Sequence, residues 1–187
     1  MRILMLGNSF TYYNDMPRLL SAMTGWEVVS HTRGGARLAE HLNPETELGA
    51  RTLPALQNEK YDYVVLQEQS RAPFAESEAF RRSVRELCSL IRQNGAKPLL
   101  YATWAYRDGT EKLASTGLTY EEMDAALYAA YHQAAEENSA LVADAGRAFS
   151  AARGLIDLYQ PDDYHPSPAG SVLAAQAIIR CIEKDQA

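Results

Sequence analysis

Short apolar runs alternate along this chain with longer amphipathic stretches. Ile3–Leu6, Trp26–Ser30, Tyr61–Gln67, Pro98–Thr103 and Leu141–Ala143 read as strands. The third of these, with its β-branched pair Val64-Val65, is continuously apolar, as a strand buried on both faces is. Between the runs the spacing predicts helices. One covers Tyr12–Thr24, with Asp15 as its cap and Pro17 in its first turn, and a second covers Glu45–Gln57. Glu76–Gln93 is a third, closed by Asn94-Gly95 in the place of a left-handed cap. Thr119-Tyr120-Glu121-Glu122 is a capping box opening a helix that runs to about Glu137, and Ser167-Pro168 starts the last one. Arg107–Gly117 is polar, carries two glycines, and is long enough to be a lid candidate. Strands alternating with helices imply an α/β fold: a three-layer α/β/α sandwich around a parallel sheet of about five strands. Residues 1–187 are expected to form a single domain. Ligands of such sheets sit at the carboxyl ends of the strands, so the residues just after each strand carry the functional information.

Composition narrows the partners. Lys and Arg number 18 against 24 Asp and Glu, a net charge of −6, which argues against nucleic-acid or anionic-membrane binding and leaves small substrates open. No apolar run approaches the roughly 18 residues of a membrane span. The apolar part of Met1–Gly7 is too short for a signal peptide, so a cytoplasmic location is expected. Cys88 and Cys181 lie far apart, with neither a CxxC nor a Cys/His pair at zinc spacing; they read as buried thiols, and no metal is expected.

Two segments carry chemistry. After the first strand comes Gly7-Asn8-Ser9-Phe10-Thr11, which sets a serine hydroxyl in a strand-to-helix turn at the sheet's edge. It is not a GxSxG elbow, and no phosphate-binding GxGxxG or GxxxxGK[ST] occurs. Near the other end stands Asp162-Asp163-Tyr164-His165-Pro166-Ser167-Pro168-Ala169-Gly170. A nucleophilic serine needs a base, and the base needs a carboxylate to fix its tautomer. Asp162 lies three residues before His165, a spacing that lets one turn bring its carboxylate to Nδ1 while Nε2 points toward Ser9; Asp163 should point elsewhere. Taken singly, Ser9 can be a helix cap and His165 a surface histidine near a helix start.

Taken together, Gly7-Asn8-Ser9 and Asp162-x-x-His165-Pro166 resemble the blocks of the SGNH (GDSL-like) hydrolase superfamily over nearly the whole chain. The resemblance implies that superfamily's flavodoxin-like fold, with Ser9 as nucleophile, His165 as base and Asp162 as its carboxylate. It also implies an oxyanion hole made from the N–H of Ser9 and the N–H of Gly35, the better match of Gly34-Gly35. The third block departs from the family's GxND: here Gln67-Glu68-Gln69-Ser70-Arg71 follows the strand. A Gln carboxamide can place an N–H donor about 3 Å from an oxyanion, and Gln69 is the first choice for that role, Gln67 the second. Glu68 is expected to be solvated or salt-bridged, and Arg33 and Arg37 to be a solvated pair. Asn8, Trp104 and Tyr106 are expected to bind substrate, and Tyr12, Tyr13 and Asn14 are further candidates for the lining. The expected activity is that of a serine esterase or deacylase acting on a small-molecule ester, a short acyl group on a carbohydrate or other polar alcohol, without cofactor. The alternatives are acyl transfer by the same triad and a non-catalytic ligand-binding relative.

Overall fold

The computed structural model describes residues 1–187. In chain order it contains β1 (Arg2–Gly7), α1 (Ser9–Tyr12), a 3₁₀ turn (Tyr13–Asp15), α2 (Met16–Thr24), β2 (Glu27–Thr32), α3 (Leu38–Leu42) and α4 (Glu47–Asn58). There follow β3 (Tyr63–Leu66), α5 (Ala72–Ala75), α6 (Ser77–Asn94), β4 (Lys97–Ala102), α7 (Glu111–Ala114), α8 (Tyr120–Glu137), β5 (Leu141–Asp144), α9 (Ala145–Ala152) and α10 (Pro168–Gln186). The strands form one parallel sheet in the order β2-β1-β3-β4-β5, with Leu4 opposite both Val29 and Val64. Helices cover both faces, which is why Ile3–Leu6, Val64–Leu66 and Leu99–Leu100 are sealed from solvent. The chain reverses direction across the sheet between β1 and β3, so the loops after these two strands diverge at its carboxyl edge.

The expected elements are present, with informative differences. The Tyr12–Thr24 helix is broken: Asn14 and Asp15 both adopt φ 54°, and Asp15 makes no side-chain cap bond. The cause is tertiary, since Asn14 Nδ2 donates to Pro166 O at 2.9 Å and Ser171 Oγ at 2.8 Å. Asparagine tolerates the left-handed region better than most residues. Strand β3 stops at Leu66, and the last ladder bond to β1 runs from the Gln67 N–H to Leu6 O at 2.9 Å. Helices α3, α5 and α9 were not expected. They are short, and short helices draw their stability from contacts rather than from periodicity. The 107–117 segment is not an open loop: it carries α7, with Thr110 capping and Leu113 buried.

Candidate active site

Gly7 ends β1 where only a glycine fits, because a Cβ there would lie 2.5 Å from Thr11 Oγ1 and 2.6 Å from Gln67 Oε1. Asn8 then leaves the strand in extended geometry, and its Oδ1 accepts the Phe10 N–H at 3.1 Å, which starts α1 and lifts Ser9 to its first position. Ser9 Oγ stands 2.7 Å from His165 Nε2, and His165 Nδ1 stands 2.6 Å from Asp162 Oδ2. The other carboxylate oxygen, Oδ1, accepts the backbone N–H groups of His165 at 3.0 Å and Tyr164 at 3.3 Å. Partial burial pulls the Asp162 carboxyl upward, but the His165 ring and the two N–H groups outweigh it and hold it below the ordinary aspartate value. Nε2 of His165 can therefore take a proton from Ser9 while an ionised carboxylate holds Nδ1.

The imidazole is fixed by aromatic rings. Tyr13 stacks on it at 4.1 Å and 4°, Phe10 meets it edge-on at 5.6 Å, and Tyr164 lies 4.1 Å away. Its loop is pinned by the Gln160 N–H to His165 O, by Trp104 Nε1 to Tyr164 O at 3.0 Å, and by Asn14 to Pro166 O. Asp163, at φ 68°, turns away and pairs with Arg107 at 3.0 Å.

Opposite the triad, a cleft of about 120 Å³ is lined by Asn8, Ser9, Phe10, Gly35, Gln69, Ser70 and Tyr164. A larger cleft of about 570 Å³ around Arg107, Arg153 and Tyr159 contains none of the triad and no arrangement of comparable chemistry. Gly35 sits in the turn after β2 at φ 68°, a conformation that calls for glycine even though a Cβ would meet nothing. The N–H groups of Ser9 and Gly35 make no hydrogen bond to the protein. Gln69 Oε1 accepts the N–H groups of Arg71 and Ala72 at 3.1 and 3.2 Å, which aims the carboxamide; Nε2 donates to Ser70 Oγ at 3.2 Å and keeps a second hydrogen for the cleft.

Four expectations require correction. Gln67 is fully buried: its Oε1 accepts from the Asn8 N–H and Thr11 Oγ1, both at 2.9 Å, and its Nε2 donates to Glu68 O, so it clamps the nucleophile turn and does not reach the cleft. Asn8 borders the cleft but is 2% exposed with both ends of its carboxamide occupied, Nδ2 donating to Ala36 O at 2.9 Å, so it positions and does not bind. Trp104 is buried between Phe10 at 4.9 Å and Phe149 at 3.9 Å, and Tyr106 is buried with its hydroxyl on Ser70 Oγ at 2.7 Å; both support the wall from behind. Glu68 is neither solvated nor salt-bridged but 3% exposed, accepting backbone N–H groups. Arg33 and Arg37 are half-exposed, and each pairs with a carboxylate, Glu40 and Glu76. Tyr164 was missed, although its place between Asp162 and His165 pointed to it. Tyr13, a candidate for the lining, is the face on which His165 rests.

The geometry has counterparts among known proteins. The model of the GDSL-like lipase/acylhydrolase family matches residues 5–173. The chain belongs to that family. A candidate SGNH hydrolase from Slackia heliotrinireducens is 47% identical, with 97% of this chain and 98% of that one covered and a TM-score of 0.93. The fold is shared more distantly with a DUF4886 family protein from Bacteroides uniformis, 21% identical over 97% of this chain and 82% of that one, TM-score 0.75. It is shared also with the acetylxylan esterase Axe2 of Geobacillus stearothermophilus, 21% identical over 97% and 93%, TM-score 0.67. Among curated proteins, none matches significantly. No helix of this GDSL-like hydrolase is long and apolar enough to cross a membrane, and no three His, Cys, Asp or Glu side chains gather as a metal site. Cys88 and Cys181 are unbridged, and burial pushes both thiols up to about 11.

Proposed function

We propose that this GDSL-like hydrolase is a serine esterase that cleaves a short acyl group from a small polar alcohol, a carbohydrate hydroxyl among them, through an acyl-enzyme on Ser9. The observation that carries the reading is the continuous contact from Asp162 through His165 to Ser9, at 2.6 and 2.7 Å. His165 Nε2 takes the Ser9 proton as Oγ attacks the ester carbonyl. The resulting oxyanion lies among the N–H groups of Ser9 and Gly35 and Nε2 of Gln69. It collapses by expelling the alcohol, which recovers the proton from Nε2. Water then enters, gives a proton to Nε2 and attacks the acyl carbon. Collapse of the second oxyanion releases the carboxylic acid and returns the proton to Ser9. Asp162 stays ionised throughout, holding Nδ1–H and stabilising the imidazolium.

A cleft of only about 120 Å³, with Tyr164 and Ser70 in its lining, supports a short acyl group over a long one. The acetyl substrate of the Geobacillus relative points the same way. The test is labelling with a fluorophosphonate, the modified residue mapped by mass spectrometry, followed by turnover of p-nitrophenyl esters from acetate to octanoate. Labelling at Ser9 that His165→Ala abolishes, with rates falling as the acyl chain lengthens, is the expected result. A folded protein that is not labelled, or is labelled regardless of His165, overturns the reading in favour of a binding-only relative. Product analysis with an added acceptor alcohol separates hydrolysis from acyl transfer.

A further inference from the structure

Three consecutive residues after β3 have three different destinations. Gln67 reaches back to the nucleophile turn, at Asn8 N and Thr11 Oγ1. Gln69 lines the cleft. Glu68, between them, turns to the loop after β2: its two carboxylate oxygens each lie 3.3 Å from the Leu38 N–H, while Oε1 also accepts the Gln69 N–H at 2.6 Å. The backbone of Glu68 is bound as well, its N–H to Tyr131 Oη at 3.3 Å and its carbonyl to Gln67 Nε2. With Asn8 Nδ2 on Ala36 O, these bonds close a triangle among the three segments that present Ser9, Gly35 and Gln69. Glu68 forms the side that joins the Gly35 segment to the Gln69 segment.

We infer that Glu68 is a positioning residue of the oxyanion hole, its carboxylate setting the distance between the Gly35 N–H and the Gln69 carboxamide. The inference rests on the esterase reading above. A carboxylate suits the joint because it is acceptor-only at both oxygens and can take N–H groups from two segments at once. A protonated carboxyl or a carboxamide presents a hydrogen where an acceptor is needed. The choice is costly, since the group is buried without an ion-pair partner: Arg37, the cation it senses, is engaged by Glu76. Burial pushes the Glu68 carboxyl up to about 7, with the Gln69 and Leu38 N–H groups and Arg37 pulling down and Glu76 pushing up. Tyr131, from α8, is the remaining titratable group at this joint, and burial keeps its hydroxyl neutral. The joint is thus made of an ion that gains a proton near neutrality.

The test is Glu68→Gln, assayed on p-nitrophenyl acetate across pH, alongside fluorophosphonate labelling of Ser9 and thermal unfolding. The expected kcat is about tenfold lower with KM within about twofold, a loss smaller than that of a whole oxyanion donor. The acid limb of kcat/KM is expected to lose the proton that Glu68 takes up, so that it is one proton shallower in the variant than in the wild type. Tm at pH 8 should fall by no more than about 3 °C, whereas a residue serving only the fold would lose Tm with activity. Unchanged kcat with an acid limb of the same steepness in the two proteins overturns the inference. If Glu68→Gln does not fold, Glu68→Asp keeps the charge and shortens the reach: a wild-type steepness of the acid limb at reduced kcat supports the role, and wild-type kcat overturns it. A wild type that neither labels at Ser9 nor turns over ester removes the esterase reading and this inference together; an active wild type with an indifferent Glu68 removes this inference alone.

Discussion

On one wall of the cleft, Asp162, His165 and Ser9 touch side chain to side chain at 2.6 and 2.7 Å. On the other, Gly35 and Gln69 line the space, and buried Asn8, Gln67 and Glu68 tie their segments to each other and to the turn that carries Ser9. The first wall is built from residues whose identity the proposed reaction dictates: a nucleophile, a base and a carboxylate have few substitutes. The second is built from backbone groups, one carboxamide and buried clamps, where the reaction asks only for an N–H at the right place. Side-chain identity is conspicuous in a sequence, and the placement of an N–H is not. Changes on the first wall should therefore act on chemistry alone, while those on the second divide between rate and stability.

The largest effect expected is on the first wall. Ser9→Ala or His165→Ala should lower kcat by about 10⁴–10⁶ with Tm nearly unchanged, measured by steady-state turnover and thermal unfolding. Residual turnover within tenfold of the wild type would remove the distinction between the walls. Next come the two glutamines, which sharpen it. Gln69→Ala should lower kcat by about 10²–10³ with a modest loss of Tm. Gln67→Ala should act mainly on stability, because it strands the buried Asn8 N–H and Thr11 hydroxyl at about 1–3 kcal/mol each. Denaturant unfolding of both variants beside their kcat values checks this, and the reverse ranking would return the donor role to Gln67.

The smallest effect concerns pH. His41, fully buried on α3 with Nδ1 on Thr52 Oγ1 and Nε2 unpaired, is held down to about 4 by burial first and by the nearby His31. Unfolded, it takes a proton below its ordinary 6.5; folded, it waits until about 4, so its contribution is complete above 6.5 and is lost as pH falls through that window, about 3 kcal/mol in all. Glu68 runs the other way: folded it holds a proton up to about 7 and unfolded only to 4.5, so its contribution is present at low pH and lost as pH rises. Between 4.5 and 6.5 the two oppose each other. Glu68→Gln should therefore uncover a Tm drop of about 5–10 °C on acidification across that range, beyond any wild-type drop, read by scanning calorimetry. Equal slopes in the two proteins would show that Glu68 does not titrate there.

The same contrast explains what the sequence made legible. Alternating apolar and amphipathic runs were enough for five parallel strands, and Asp162-x-x-His165 with Ser9 marked the first wall. The second wall depended on where β3 stops: pairing ends at Leu66, so Gln67 turns inward and Gln69 outward, and nothing in Leu66-Gln67-Glu68-Gln69 fixes that point without the partner strands. Trp104 and Tyr106 follow a strand just as a pocket wall would, yet the bulk that suggests contact with substrate also suits the core behind it. The break at Asn14 was set by Pro166 and Ser171, more than 150 positions away. The pair Asn14-Asp15 before Pro17 is nevertheless a turn signal that local reading can use.

Ser9 and His165 are separated by 156 positions, and the hinge at Asn14 is fastened to the same distant segment. A ribosome thus reads the codon for the proposed nucleophile long before the codon for its proposed base. Strands β1, β2 and β3 can already be paired while the serine has nothing to accept its proton. In the proposed reaction, competence therefore has to wait until residue 165 has been made and its loop lies over the turn that carries Ser9. Until then the nascent chain is a folding sheet carrying an inert hydroxyl.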